Sequence, residues 1–310
     1  MSALAAESRD GGRTVLAIAV VAGAIAVVCA APTQGAQDVL ARAAAYVAAY
    51  ERDLGSVIAE ERYRQDVSFP AAADPIGTAA VLLGSPVRRR ELTSEFLLLR
   101  VSGHHGSWLG LRDILSVDGR STPDRAPLQP RLERNPEMRD VEFDALVNES
   151  ARYNIGRVRR NVNVPTFALI MVRASEQSRF AFEKREERRL AGILTWALAF
   201  EERARPTLIR GSGGADLPAT GIISVDPASG RVIETQLSTD EPSTQVGTNI
   251  TVKYRPNRKL GIWVPIEMRE RYHVTAASSF AEQNIDCVAT YSNFRRFEVD
   301  VKLRVPQGFD

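Results

Sequence analysis

The chain has 310 residues, 44% hydrophobic and 25% charged, with a formal net charge of +2. So small an excess argues against nucleic acid as a partner. The two cysteines are Cys29 and Cys287, and the segment holding Cys29 is predicted to direct export, so its removal excludes an intramolecular disulfide and leaves stability to packing.

Val15 to Ala31 is an uncharged, almost wholly apolar run of 17 residues behind Arg9 and Arg13. Its length stands near the lower limit for a membrane span and above a usual signal h-region. Small residues around Val28-Cys29-Ala30, and again at Thr33-Gln34-Gly35, favour cleavage, with a retained inner-membrane anchor as the alternative. Bulky Val28 before Cys29 disfavours lipidation there. Residues 1–36 are expected to be a signal peptide or N-terminal anchor. Residues 37–310 are expected to be a single exported domain of the periplasm or cell envelope.

Asp38 can cap a helix to about Leu54, with Val39, Leu40, Ala43, Val47 and Tyr50 at helical spacing. From Ser56 the period becomes two, as in a half-buried strand. Glu91–Val101 and Trp108–Val117 read as paired strands around a turn holding His104 and His105, and Asp118-Gly119 marks the next turn. Asn135-Pro136 predicts the start of a second helix carrying Phe143, Leu146, Val147 and Ala151. Val164–Val172 suits a short helix or a buried strand equally. Strands follow over Phe180–Lys184, Ile193–Arg203, Pro206–Arg210, Gly221–Val225, Arg231–Leu237, Thr248–Arg255, Ile262–Tyr272 and Ile285–Val299, with Gly- and Pro-containing turns between them. The mixed charges of Glu183–Arg189 suit a solvated hairpin tip. These gaps are too short for parallel crossovers. The expected fold is mainly β (α+β): a large antiparallel curved sheet or half-barrel, with an N-terminal helix and a helical insertion covering its concave face.

The order of elements, with Val117-Asp118-Gly119, Pro165-Thr166-Phe167-Ala168-Leu169-Ile170 and the closing Val305-Pro306-Gln307-Gly308-Phe309, resembles the periplasmic outer-membrane lipoprotein carriers and their relatives. The resemblance spans nearly the whole exported region, although the middle loops are longer here. It implies an unclosed barrel with a helical lid over an apolar cavity that binds lipid or acyl chains.

The chemistry-bearing residues are few. His104 and His105 point to opposite faces if they lie on a strand, and no carboxylate or cysteine completes a metal spacing; with His273 they read as polar surface residues. Gly211–Gly214 lacks the Lys-Ser/Thr of a phosphate loop, there is no Gly-x-Ser-x-Gly, and no cofactor is expected. The clusters Arg88–Arg90, Arg157–Arg160 and Arg295-Arg296 read as solvated faces, and Cys287 as a buried, inert thiol. Strict alternation over Trp263–Tyr272 puts Val264 and Met268 on one face and Glu267, Arg269 and Arg271 on the other. Glu61, Glu202 and Glu270 each extend an apolar row, which reads either as a solvated rim or as polar fixtures inside an apolar cavity.

The expected function is non-catalytic: an exported protein holding a lipid, acyl chain or lipidated protein in an apolar cavity. The lining residues would be Leu97, Leu99, Leu111, Phe143, Trp196, Leu198, Phe200, Val252, Tyr254, Val264, Ile266 and Met268, with Glu61, Glu202 and Glu270 at a polar rim and the Asn135–Ala151 helix as a movable cover. The N-terminus would add membrane association. The alternatives are a structural or partner-binding envelope protein with a filled core, and a hydrolase using the three acids.

Overall fold

The computed structural model describes residues 34–310 apart from 55, 70–86, 103–107, 123–126, 135–136, 159, 161–162, 212–213, 242–245, 276–281, 298–300 and 305–310. The apolar run Val15–Ala31, the pair His104-His105 and the closing Val305–Phe309 motif lie outside the described residues. Among the described residues no helix is long and apolar enough to cross a membrane.

Helix α1 (Gln34–Leu54) buries Val39, Leu40, Ala43, Val47, Tyr50 and Leu54 at helical spacing. It leads into β1 (Val57–Ser68), β2 (Val87–Ser102), β3 (Trp108–Val117) and β4 (Arg120–Ser121). The β3–β4 turn is made by Asp118 and Gly119 at φ 49° and 77°, the left-handed geometry that tight hairpins favour. The insertion comprises α2 (Leu128–Arg134), β5 (Glu137–Arg139), α3 (Asp140–Ala151) and the 3-10 helices Phe167–Val172 and Gln177–Arg179. The meander resumes with β6 (Phe180–Leu190), β7 (Ile193–Glu202), a small hairpin of β8 (Ile209–Arg210) and β9 (Asp216–Leu217), β10 (Thr220–Val225), β11 (Val232–Glu241), β12 (Val246–Asn257), β13 (Ile262–Val274) and β14 (Gln283–Arg296), before β15 (Val301–Arg304).

Eleven strands follow the antiparallel path β4-β3-β2-β1-β14-β13-β12-β11-β10-β7-β6, and the sheet is not closed into a barrel. The mainly β architecture with an N-terminal helix is therefore as the sequence suggests. The long Val164–Val172 apolar stretch resolves as a 3-10 helix. The helix expected from Asn135 starts later, at Asp140, and a separate short helix, α2, precedes Asn135. Glu137–Arg139 is drawn into parallel pairing with Lys302–Arg304, a tertiary ladder that outweighs the local helix signal, so α3 starts at Asp140. Glu183–Arg189 is part of β6, whose hairpin turns at Ala191-Gly192.

Alternation divides the apolar side chains between two faces. Val57, Ala59, Tyr63 and Val67 of β1, with Leu92, Phe96 and Leu98 of β2, join the principal core beneath α1 and the stretch Ile155–Val172. Ile58, Leu97, Leu99 and Leu111 point the other way and pack against Leu128 and Leu132 of α2, Leu146 of α3 and Phe297. The insertion thus contributes to both faces. On β13, pairing of Pro265 with Tyr254 and of Glu267 with Lys253 makes Ile266 a bulge, and beyond it Met268, Glu270 and Tyr272 are buried while Arg269 and Arg271 are exposed.

The β10–β11 turn fastens α1. Arg42 Nε donates to Pro227 O at 2.8 Å, and Gly230, at φ +71°, lies so close to the helix that a Cβ would come within 2.2 Å of the Arg42 carbonyl carbon. Gly230→Ala is expected to lower stability by about 1–3 kcal/mol through backbone strain and displacement of α1. The shift of a urea-unfolding midpoint measures it.

Candidate functional site

The pairing of β1 with both β2 and β14 brings the polar side chains of the principal core together. Glu61 lies opposite Ser94 and Tyr291, Tyr63 opposite Leu92 and Ala289, and Gln65 opposite Cys287, while Glu270 of β13 lies opposite Cys287 from the other side. Adjacent residues on these inward rows therefore carry two carboxylates, two tyrosines, a thiol and an amide in one continuous strip of an otherwise apolar face.

Glu61 is wholly buried and is held by Arg112 of β3 in a two-pronged ion pair, Nε to Oε2 at 2.7 Å and Nη2 to Oε1 at 2.9 Å. Ser94 Oγ donates to Glu61 Oε2 at 2.8 Å, and the Arg112 guanidinium lies 4.3 Å from the Tyr63 ring centroid. Burial opposes the arginine charge, but Glu61, Tyr63 and Tyr291 more than offset it and hold its pKa above the ordinary value. Ser150 of α3 accepts from the Arg112 backbone N–H at 2.7 Å, tying the helix on the opposite face to this pair.

Arg160 enters the same strip from the insertion. It is buried, donating from Nη1 to Tyr63 Oη at 2.6 Å and to Cys287 Sγ at 3.2 Å, and from Nη2 to Ile155 O. Tyr272 Oη donates to Glu270 Oε2 at 2.5 Å, while buried Glu270 Oε1 and Arg160 Nε have no hydrogen-bond partner among the described residues. The chain on either side of Arg160 is also fastened by side chains of the sheet. Gln65 accepts from Ile155 N–H at 3.0 Å and donates to Tyr153 O at 3.3 Å, Gln283 accepts from Arg157 N–H at 2.9 Å, and Tyr254 Oη donates to Pro165 O at 2.5 Å. Gly156, at φ +92°, fits because a Cβ there would meet Ile285 Cδ1 at 2.4 Å.

Glu202 belongs to a separate group. Arg179 Nη2 approaches it at 3.3 Å, and it accepts from Leu208 N–H at 2.7 Å and Ala219 N–H at 3.3 Å. All three acids are buried rather than placed on a solvated rim, and they have separate sets of partners. The rim reading is thereby corrected: an arginine, tyrosine or backbone amide meets each acid, and on β1 and β13 the buried row continues past it to Tyr63 and Tyr272. Arg160 likewise departs from the solvated face expected for Arg157–Arg160. Arg89 and Arg295, by contrast, meet Asp66 and Glu95 in partly exposed pairs.

Among the proposed lining residues, Leu198, Phe200, Val252, Tyr254, Val264 and Met268 belong to the principal core, with Trp196 and Ile266 partly buried against it. Leu97, Leu99 and Leu111 are on the opposite face and line nothing in common with them. The Phe143 side chain lies outside the described residues. Helix α3, expected as the movable cover, also belongs to the opposite face through Leu146; Ile155–Val172 covers the principal core instead. Two depressions among the described residues, of about 560 Å³ over Arg62, Arg64, Glu91, Glu267 and Arg269 and about 510 Å³ over Asp118, Arg120, Ser121 and Tyr153, are lined largely by charged and polar groups. Arg112, Arg160 and Gln65 were not singled out from sequence, although the Gln65 position continues the inward row of β1 from Tyr63.

No family model matches the sequence, and no curated protein matches it. Solved structures do. A DUF1329 family protein from Desulfovibrio piger is 13% identical, with a TM-score of 0.37 over 86% of this chain and 93% of that one. A domain assigned to outer membrane lipoprotein sorting, from Vibrio parahaemolyticus, is 12% identical, with a TM-score of 0.32 over 81% and 90%. A LolA superfamily protein from Nitrosomonas europaea is 11% identical, with a TM-score of 0.30 over 85% and 94%. The likeness is one of fold.

Removing one half of the buried ion pair strands the other. Arg112→Ala is expected to cost about 3–5 kcal/mol, and Arg112→Met combined with Glu61→Leu markedly less, because the double change leaves no unpaired charge; guanidinium unfolding of both variants provides the comparison. Burial, reinforced by Glu270, pushes the Cys287 thiol up to about 12, and burial raises Tyr63 and Tyr272 well above the usual tyrosine range. Groups whose pKa is raised by folding hold their contribution below the unfolded value and lose it on the way up to the folded one. Stability is therefore expected to fall as pH rises from about 9 toward about 12. A thiol reagent should leave native Cys287 unmodified at neutral pH and label it on unfolding.

Proposed function

We propose that this is an exported, non-catalytic envelope protein that binds a lipid, an acyl chain or a lipidated protein against the principal-core face of its open sheet, with the stretch Tyr153–Val172 as the cover. The observation that supports this reading is how that cover is held. Its described residues between Tyr153 and Pro165 form no α-helix or strand, and they are fastened to the apolar face by hydrogen bonds with the side chains of Gln65, Tyr63, Tyr254 and Gln283. Long irregular segments over a rigid scaffold are common sites of ligand access. Polar attachments suit a segment that leaves and returns, because water replaces the partners on release. The apolar run Val15–Ala31 supports export and location in the envelope.

The filling of the described core favours a second reading, a partner-binding or structural envelope protein. Leu198 and Met268 are fully buried and Val252 nearly so. Native mass spectrometry of protein extracted from its source membrane tests the first reading by the presence of copurified lipid. Met268→Trp or Leu198→Trp is expected to abolish binding of a fluorescent fatty acyl probe by occupying the ligand's space. Under the second reading the parent protein binds no probe, and either substitution only overpacks the core, lowering stability by about 1–3 kcal/mol.

A further inference from the structure

The meander is electrically polarised along its strands. The turns at 191–192, 226–231 and 257–261 share one end, since Trp196 pairs with Val225, Val225 with Val232, and Asn257 with Ile262. Over residues 183–194, 226–231 and 255–263 this end carries eight Lys or Arg and four Asp or Glu. The segments at the opposite end, 201–219, 239–247 and 273–284, carry three and six. Within the meander the excess cations thus gather at one end of the strands, whereas at the other end Arg89 and Arg90 of β2 are paired with Asp66 and Asp118. Arg189, Arg258 and Lys259 are exposed, and among the described residues no carboxylate pairs with them.

Aromatic residues share the same end. The chain has three tryptophans. Trp108 opens β3, Trp196 faces the last residue of β10, and Trp263 is the second residue of β13. Lys184 Nζ lies 3.5 Å from the Trp196 ring centroid, the Arg231 guanidinium lies 5.2 Å from that of Trp263, and Leu194 beside the β6–β7 turn is 44% exposed. Helix α1 also begins here, since a Cβ on Gly35 would lie 3.8 Å from the Trp196 ring. The apolar run ends at Ala31, three residues before Gln34 in sequence.

We propose that this end of the sheet docks on an anionic lipid bilayer, with Arg189, Arg258 and Lys259 against headgroup phosphates and Trp196, Trp263 and Leu194 at headgroup depth. Basic side chains flanking tryptophan suit that boundary, and a bilayer of negative surface potential selects this end over the acidic one. The surface lies beyond the lipid-binding reading and does not depend on it. Because Trp196 and Trp263 are at this end, intrinsic fluorescence reports contact without a label.

Full-length protein is reconstituted into vesicles of acyl-brominated phosphatidylcholine, with and without phosphatidylglycerol. Tryptophan emission is expected to be quenched when phosphatidylglycerol is present. Salt near 1 M, or Arg258→Glu with Lys259→Glu, should remove about half of that quenching or more. Arg205→Glu, at the opposite end, should leave it unchanged. The reversed residues are exposed in a turn, and circular dichroism checks that the fold is kept; Arg189→Glu is a second, independent reversal. Emission unaffected by brominated lipid, or quenching indifferent to phosphatidylglycerol and to charge reversal, overturns the proposal.

Discussion

The pairing of β1 with β14 is the constraint on which the rest of the architecture depends. It joins the first strand of the chain to a strand more than two hundred residues later, in register from Val67 opposite Ile285 to Glu60 opposite Ser292. With β2 on its other side, β1 becomes a central strand, and every inward side chain on it must be buried. Helix α1 ends at Leu54, immediately before β1, so this placement also carries the helix onto the principal core. The edges fall to β4 and to β6, whose run of Glu, Lys and Arg opposes pairing with another chain.

Centrality makes the polar residues of β1 costly unless partnered. Glu61 in the middle of an eleven-strand path has no access to water, and its charge is tolerable only because Arg112, one strand beyond β2, reaches across to it. Gln65 has the same problem in milder form and is satisfied by the backbone of Tyr153 and Ile155. The insertion is thus drawn to this face by hydrogen-bonding demand as well as by apolar burial, and Arg160 follows because Tyr63, Cys287 and the Ile155 carbonyl give its guanidinium three contacts.

Much of the fold was legible because strand alternation and turn chemistry are local. Asp118-Gly119, the two-residue spacing of Val57, Ala59, Tyr63 and Val67, and the helical spacing of Val39 to Leu54 each depend on neighbours a few residues away. What was not legible depends on partners far along the chain. Leu97, Leu99 and Leu111 alternate as well as any core residues, yet parity alone does not say which of two covered faces they serve. The late start of α3 follows from β15, a strand some 160 residues later whose pairing leaves no mark on residues 137–139. Glu61 could be read as rim or interior because the sequence places an acid at the end of an apolar row without showing that Arg112 lies opposite. Arg160 stood within an arginine cluster whose other members gave no reason to separate it.

The two covers of the principal core are held by different forces, and this decides which can leave. Helix α1 buries Val39, Leu40, Val47, Tyr50 and Leu54, five large side chains. At about 1.5–3 kcal/mol each, their exposure would cost as much as the whole stability of an ordinary domain, so α1 cannot lift without unfolding. Between Tyr153 and Pro165 the attachments combine the packing of Tyr153, Ile155, Val158 and Val164 with side-chain hydrogen bonds, each worth about 0.5–1.5 kcal/mol, or about 1.5–3 where Arg160 is the donor. Arg160 gains hydration on leaving, which further offsets the loss of Tyr63 and Cys287. If the proposed cover moves, its movable part is the stretch between α3 and the 3-10 helix, while α1 and the buried Leu169, Met171 and Val172 remain part of the wall.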